Sequence, residues 1–301
     1  MPLNLPPRVL ITEVGTRDGL QREPWVPTER KVALIDDLAA AGVPRIEAVS
    51  FAHPKHVPQM ADAAEVMQRL ARRPGTVYSV LVPNAVGARR AVEIRPDEIV
   101  FVTSATEAFN QANVRRSIAE SLADFEPVVA VAEAAGATPC GAVAVSFGCP
   151  YSGSVPPEQV LAVVEALLAR GAREIGVADT IGVANPRQVY DLTARLLDRW
   201  PEVPLFLHFH DTRGLGLANV LAAMQAGATR FDASIAGVGG CPFAPGATGN
   251  ICTEDLVNML HQMDVETGID LDALLAAARL MRATLDHDVP GRLLHLPRPT
   301  A

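Results

Sequence analysis

The chain has 301 residues, 49% of them apolar, enough to bury a sizeable core as two small domains or one large α/β barrel. A net charge of −8, from 26 basic and 34 acidic residues, argues against a nucleic-acid surface. No apolar run reaches the ~20 residues that a bilayer span needs, so no membrane partner is expected.

Short β-branched runs alternate along the chain with longer stretches of helical period. The runs predict strands at 9–14, 45–50, 77–82, 98–102, 141–146, 174–178, 205–210 and 230–235. Between them the spacing predicts helices at 28–41, 59–72, 117–135, 157–170, 185–200 and 215–226. In the first helix Leu34, Ile35 and Leu38 form a stripe, and Thr28 is placed to cap it. Gly42, Gly171 and Gly227 follow three of the helices, where a left-handed residue closes the last turn. Eight such units predict a (βα)8 TIM barrel, extended by C-terminal helices at 253–264 and 271–284. No linker divides the chain, so one domain over 1–301 is expected, with a Cys-bearing glycine-rich loop at 236–252 and the C-terminal helices within 253–285. An open doubly wound sheet is the alternative, and it lacks a GxGxxG after the first strand.

In such a barrel the chemistry sits on the loops that follow the strands. Chemically capable residues fall there repeatedly. Side chains on a strand repeat every two residues, so His208 and His210 leave the seventh strand on one face. Asp18 follows the first strand, and closure of the barrel brings that strand round to the seventh. Asp18, His208 and His210, with the amide of Asn250 as a candidate fourth ligand, make a mixed nitrogen and oxygen shell. Such a shell suits Mg²⁺ or Mn²⁺ better than a thiolate-selecting metal, and Zn²⁺ is an alternative in vitro. Glu47, inside the second strand, is costly to bury as an ion unless paired, and Arg17 is its candidate partner. An arginine held that way can stabilise an oxyanion or enolate; the alternative is a plain structural ion pair. Cys241 lies in the glycine- and proline-rich loop after the eighth strand, a setting that favours a reactive thiol. Gly237, Gly239 and Gly240 in that loop suit either a phosphate cradle or a hinge. Cys140, Cys149 and Cys252 complete the four cysteines; none forms a CxxC pair, and no leader pattern opens the chain, so a cytoplasmic location is expected.

Several motifs together resemble the 3-hydroxy-3-methylglutaryl-CoA lyase family. They are Glu-Val-Gly-Thr-Arg-Asp-Gly-Leu-Gln ending at Gln21, Gly-Cys-Pro-Tyr-Ser-Gly ending at Gly153, and Asp-Thr-Ile-Gly-Val starting at Asp179. To these add His-Phe-His-Asp-Thr from His208 and Gly-Val-Gly-Gly-Cys-Pro from Gly237, closing on Asn250. The Arg-Asp pair, Glu47 and the His-x-His are also similar to the wider superfamily of isopropylmalate and citramalate synthases. The cysteine loop is similar to that of the lyases alone. The resemblance implies Mg²⁺ or Mn²⁺ on Asp18, His208, His210 and Asn250. It also implies an acyl-CoA thioester substrate, retro-aldol release of acetyl-CoA and acetoacetate in leucine degradation, and a homodimer or larger assembly. Arg17, Cys241, His208, Asp179 and Glu47 are the expected chemical residues, with His208 and Asp179 both candidates for the base. Gln21, Gly239 and Gly240 are expected to touch substrate. Gly176 replaces a serine found near the substrate in some members, and Arg213 and His56 also depart from the family pattern. Those changes bear on the acyl group, so a related 3-hydroxyacyl-CoA is an alternative substrate, and a condensing synthase an alternative reaction.

Overall fold

The structure is a computed structural model and describes residues 3–239 and 249–297. Eight strands run parallel and close in chain order: β1 (Leu10–Glu13), β2 (Arg45–Ser50), β3 (Val77–Val82), β4 (Glu98–Ser104), β5 (Thr138–Ala144), β6 (Glu174–Asp179), β7 (Leu205–Phe209) and β8 (Arg230–Ala233). β1 pairs with β8, which seals the barrel and leaves no free edge. Parallel neighbours need long crossovers, and helices supply them: α1 (Thr28–Ala40), α2 (Ala63–Arg69), α3 (Ala85–Ala91), α4 (Glu107–Val114), α5 (Ile118–Ala134), α6 (Pro157–Ala169), α7 (Pro186–Arg199) and α8 (Gly216–Gln225). α9 (Thr253–Gln262) and α10 (Leu271–Thr284) follow the last strand. Strand residues that point outward, such as Val80, Ile99, Val143, Ile175 and Leu207, are wholly buried beneath this helical ring.

The (βα)8 architecture expected from the sequence is the one observed, with local corrections. The helix expected at 59–72 is a short 3-10 turn at Pro58–Met60 followed by α2, and Leu70 is already extended. α3 and α4 were not anticipated. Each is short, and each is nucleated by a side-chain cap, Asn84 accepting from the Gly87 amide and Thr106 from that of Phe109. Thr28 does not cap α1; its hydroxyl donates instead to Asp62 Oδ2 at 2.8 Å. β7 ends at Phe209, and His210 continues it as a single bridge to Asn250.

Polar chemistry is not confined to the loop end. Arg45, Glu98, Glu174 and Arg230 are the first residues of β2, β4, β6 and β8, and alternate strands of a barrel share one interior layer. Arg45 Nε lies 2.7 Å from Glu98 Oε2, its Nη1 donates to Glu174 Oε1, and Arg230 Nη1 reaches Glu174 Oε2 at 3.1 Å. Cys140 Sγ sits beside this layer, and burial pushes its thiol well up. Burial likewise lifts Glu98 to about 7 despite the attraction of Arg45. An ion-pair layer therefore floors the barrel.

Candidate active site

At the opposite end, the turn after β1 is unusually tight. The Val14 carbonyl accepts from the amides of Asp18 at 2.7 Å and Gly19 at 3.3 Å, which makes a single π-helical turn over Gly15–Gly19. Gly19 has no room for a side chain, since a Cβ there would lie 2.5 Å from Val238 Cγ2. The turn is pinned from below by Glu13. Its Oε1 accepts from the amides of Gly15 (2.6 Å) and Ile235 (2.8 Å), and its Oε2 from the Thr253 hydroxyl (2.6 Å). Glu13 thus ties the first loop to the turn after β8 and the start of α9. Burial lifts it to about 8, against those three donors.

The π-turn points Arg17 and Asp18 into the mouth. Arg17 Nε donates to Glu47 Oε1, and its Nη1 to Asp18 Oδ1 at 2.6 Å. The β2 register shifts between Glu47 and Val49, a bulge of the kind that re-aims side chains at barrel rims. Asp18 Oδ1 also accepts from Gln21 Nε2 at 2.7 Å, and Oδ2 from Asn250 Nδ2 at 2.8 Å. Burial alone would raise the Asp18 pKa; Arg17, with His208 and His210, outweighs it and holds the carboxyl well below the usual range. Burial raises that of Glu47, and Arg17 only partly opposes it.

Ligand atoms of Asp18, His208 and His210 all lie within 4.8 Å of one another. Asn250 is carried to them by a short segment that runs back along the end of β7. The Ile251 amide donates to Phe209 O at 3.0 Å, and that of Asp211 to Gly249 O at 3.1 Å. The buried Asn250 Oδ1 has no hydrogen-bond partner among the described residues. Gly239 passes so close that a Cβ would fall 2.6 Å from Asn250 Nδ2 and 3.4 Å from Asp18 Oδ2, with φ at +122°. Here only glycine fits. Its role in the geometry is to let the backbone pass the cluster; Gly240 and Cys241 lie outside the described residues.

Two further carboxylates complete the picture. Asp232, in β8, was missed by the sequence reading, and its Oδ2 lies 3.2 Å from His208 Nδ1. Burial works to lower the His208 pKa, but the Asp232 hydrogen bond and Asp18 override it and raise it above the ordinary value. With Nδ1 so engaged, Nε2 of His208 is left for a ligand. Asp179 ends β6, where its two oxygens accept from the amides of Val183 (2.9 Å) and Ala184 (3.0 Å), and burial lifts it to about 6. The rim therefore gathers Asp18, Glu47 and Asp232 around one guanidinium and two imidazoles, with Asp179 as a fourth carboxylate at the end of β6. One carboxylate oxygen, two imidazole nitrogens and an unpaired amide oxygen form a donor set that could hold a hard or borderline divalent cation.

Known proteins place this arrangement in a lineage. A family model described as HMGL-like matches residues 8–281. The chain belongs to the HMGL-like family. Within that family it is 44% identical to the hydroxymethylglutaryl-CoA lyase of Bacillus subtilis, over 97% of this chain and 98% of that protein. It is 42% identical to the 3-hydroxy-3-isohexenylglutaryl-CoA/hydroxymethylglutaryl-CoA lyase of Pseudomonas aeruginosa, over 94% and 95% of the two chains. A solved HMG-CoA lyase from Acinetobacter baumannii, in complex with coenzyme A and 3-methylmalate, superposes with a TM-score of 0.93 at 47% identity, covering 98% of this chain and 96% of that one. Family membership and barrel both agree with the resemblance drawn from the motifs.

Proposed function

We infer that this chain is a hydroxymethylglutaryl-CoA lyase, a carbon–carbon lyase that releases acetyl-CoA and acetoacetate from 3-hydroxy-3-methylglutaryl-CoA. The observation that carries this reading is the meeting of Asp18, His208 and His210 within 4.8 Å, in a chain 44% identical to a lyase of that name. Asp18, His208, His210 and Asn250 are the residues that would hold Mg²⁺ or Mn²⁺. The ion would supply Lewis acidity, lowering the pKa of a hydroxyl that reaches it.

The chain's own groups account for the rest of the chemistry. A base takes the proton of the tertiary hydroxyl, either Asp179 or a His208 whose Nε2 is off the metal, and the O–H electrons become the new carbonyl of acetoacetate. The electrons of the breaking C–C bond move onto the acetyl thioester as an enolate. Arg17, oriented by Glu47, stabilises that charge from a buried rim where such a donor acts strongly. Cys241 then protonates the enolate carbon, and acetyl-CoA leaves. Gln21, Gly239 and Gly240 are the substrate contacts we assign. No helix among the described residues is long and apolar enough to cross a membrane. We place the enzyme in the cytoplasm as a homodimer or larger homo-oligomer, acting in leucine degradation.

The direct test is release of acetyl-CoA from 3-hydroxy-3-methylglutaryl-CoA by purified protein. Activity should vanish after chelation and return with Mg²⁺ or Mn²⁺. No cleavage in saturating Mn²⁺ would reject the reading. Asp232 offers an independent check on the metal residues, because a carboxylate behind a ligating imidazole fixes its tautomer and basicity. Asp232→Asn should weaken Mn²⁺ binding by roughly 10–100-fold, measured by titration, with the unfolding midpoint little changed. Wild-type Mn²⁺ affinity in that variant would remove Asp232 from the role.

A further inference from the structure

Inside a closed barrel nearly every side chain is buried, so partial exposure marks the cavity at the mouth. On β3 to β7 the C-terminal halves each leave one such residue: Leu81, Val102, Ala142, Ala178 and His208. The last belongs to the cluster just described. The other four are apolar and lie on β3 to β6, with Ala178 paired directly beside His208.

Beneath this wall lies an unusual packing arrangement. Phe206 precedes His208 by two residues on β7, so both rings project from the same face of the strand. In the register, Phe206 pairs with Gly176, and Gly176 with Ala142. A Cβ on Gly176 would fall 2.2 Å from Phe206 Cε2 and Cζ, so the ring lies directly over the glycine. From there it reaches Val100 and Cys140, and Ala142 packs on the same group. The Arg45 guanidinium, from the ion-pair layer, sits over the ring 5.3 Å from its centroid. One aromatic ring thus separates the mouth from the ion-pair layer that floors the barrel.

We propose that Phe206, laid into the space left by Gly176, is the specificity-determining floor of the acyl pocket, and that it limits the substituent on the hydroxyl-bearing carbon to about the size of a methyl. The proposal rests on the lyase reading above. A substrate whose tertiary hydroxyl approaches His208 must place that carbon's apolar substituent away from the charged rim. The Leu81, Val102, Ala142 and Ala178 wall is the apolar surface offered to it. A longer chain has to go deeper, where the ring blocks it. Chain length is thereby read by steric exclusion, which discriminates by roughly 10–200-fold per ill-fitting methylene. The glycine matters as much as the ring, because any side chain at 176 would displace Phe206 from this position.

The test compares two thioesters, 3-hydroxy-3-methylglutaryl-CoA and its analogue with a pentyl chain in place of the methyl, in wild type, Phe206→Ala and Phe206→Leu. Wild type should strongly favour the methyl compound. Phe206→Ala should move the kcat/KM ratio toward the pentyl compound by about tenfold or more, and Phe206→Leu should move it the same way by less. Phe206→Leu keeps most of the core volume, so it carries the test should Phe206→Ala fail to fold. The ratio, unlike kcat alone, does not respond to a general loss of packing. Wild type that cleaves the methyl compound, with both folded variants keeping its ratio, overturns the floor and leaves the lyase reading standing. Equal use of both thioesters by wild type overturns it as well. If wild type cleaves neither compound, the lyase reading fails and the floor fails with it.

Discussion

Replacing Arg17 by methionine should lower kcat by about 10²–10³ or more while leaving bound Mn²⁺ in place. The expectation follows from what the guanidinium touches. Its Nε is tied to Glu47 and its Nη1 to Asp18, so its direction is fixed before any substrate arrives. A donor that is already oriented need not reorganise as charge develops, and in a buried rim its field is poorly screened. Methionine fills similar space and removes the charge. Metal affinity should hold or tighten, because Arg17 competes with any cation for Asp18 Oδ1. A joint loss of Mn²⁺ and activity would instead make Arg17 a scaffold for Asp18, and retention of most activity would end its enolate role.

The variant also strips Glu47 of its counter-charge, so folding must be separated from chemistry. Glu47 is 5% exposed, and burial already raises its pKa with Arg17 present. Without Arg17 it should take up a proton rather than remain an isolated buried ion. Arg17→Met combined with Glu47→Gln removes that complication. If the double variant is as inactive as the single one but more stable, the rate loss belongs to the guanidinium.

The positions of these groups were legible to different degrees. His208 and His210 could be read from a two-residue spacing at a strand end, and the partnership of Arg17 with Glu47 from the cost of an unpaired buried charge. Asp18 could be placed only by counting strands to a closed barrel. Asp232 was hidden because its meaning lies in register: β7 pairs with β8 so that His208 stands opposite Asp232, and nothing in Arg-Phe-Asp-Ala announces this. Glu13 reads as one stray acid in an apolar strand, and its partners Ile235 and Thr253 lie more than two hundred residues away. α3 and α4 are too short for periodicity to build up, so their caps were the sole clue. The charges at the starts of β2, β4, β6 and β8 carry no local sign of their role. Each reads as a solvent-facing end of a strand, and only alternation around the barrel turns four separate residues into one buried layer.

That layer carries the largest expected effect on stability. Arg45→Ala should cost about 3–5 kcal/mol of unfolding free energy, because it leaves Glu98 and Glu174 buried with Arg230 as their remaining counter-charge. Urea unfolding at fixed pH reads the loss directly. Its pH dependence identifies the cause. Glu98 is already lifted from 4.5 to about 7 in the folded protein, so between those values the folded state holds more protons than the unfolded one. Its stability contribution is therefore complete below about pH 4.5 and is lost as pH rises through 7. Removing Arg45 lifts this carboxyl further and extends the same loss to higher pH. The deficit of the variant relative to wild type should thus be small near pH 5 and grow toward pH 8. A deficit of equal size at both pH values would mean that Arg45 acts through its packing on Phe206, not through the carboxylates it neutralises.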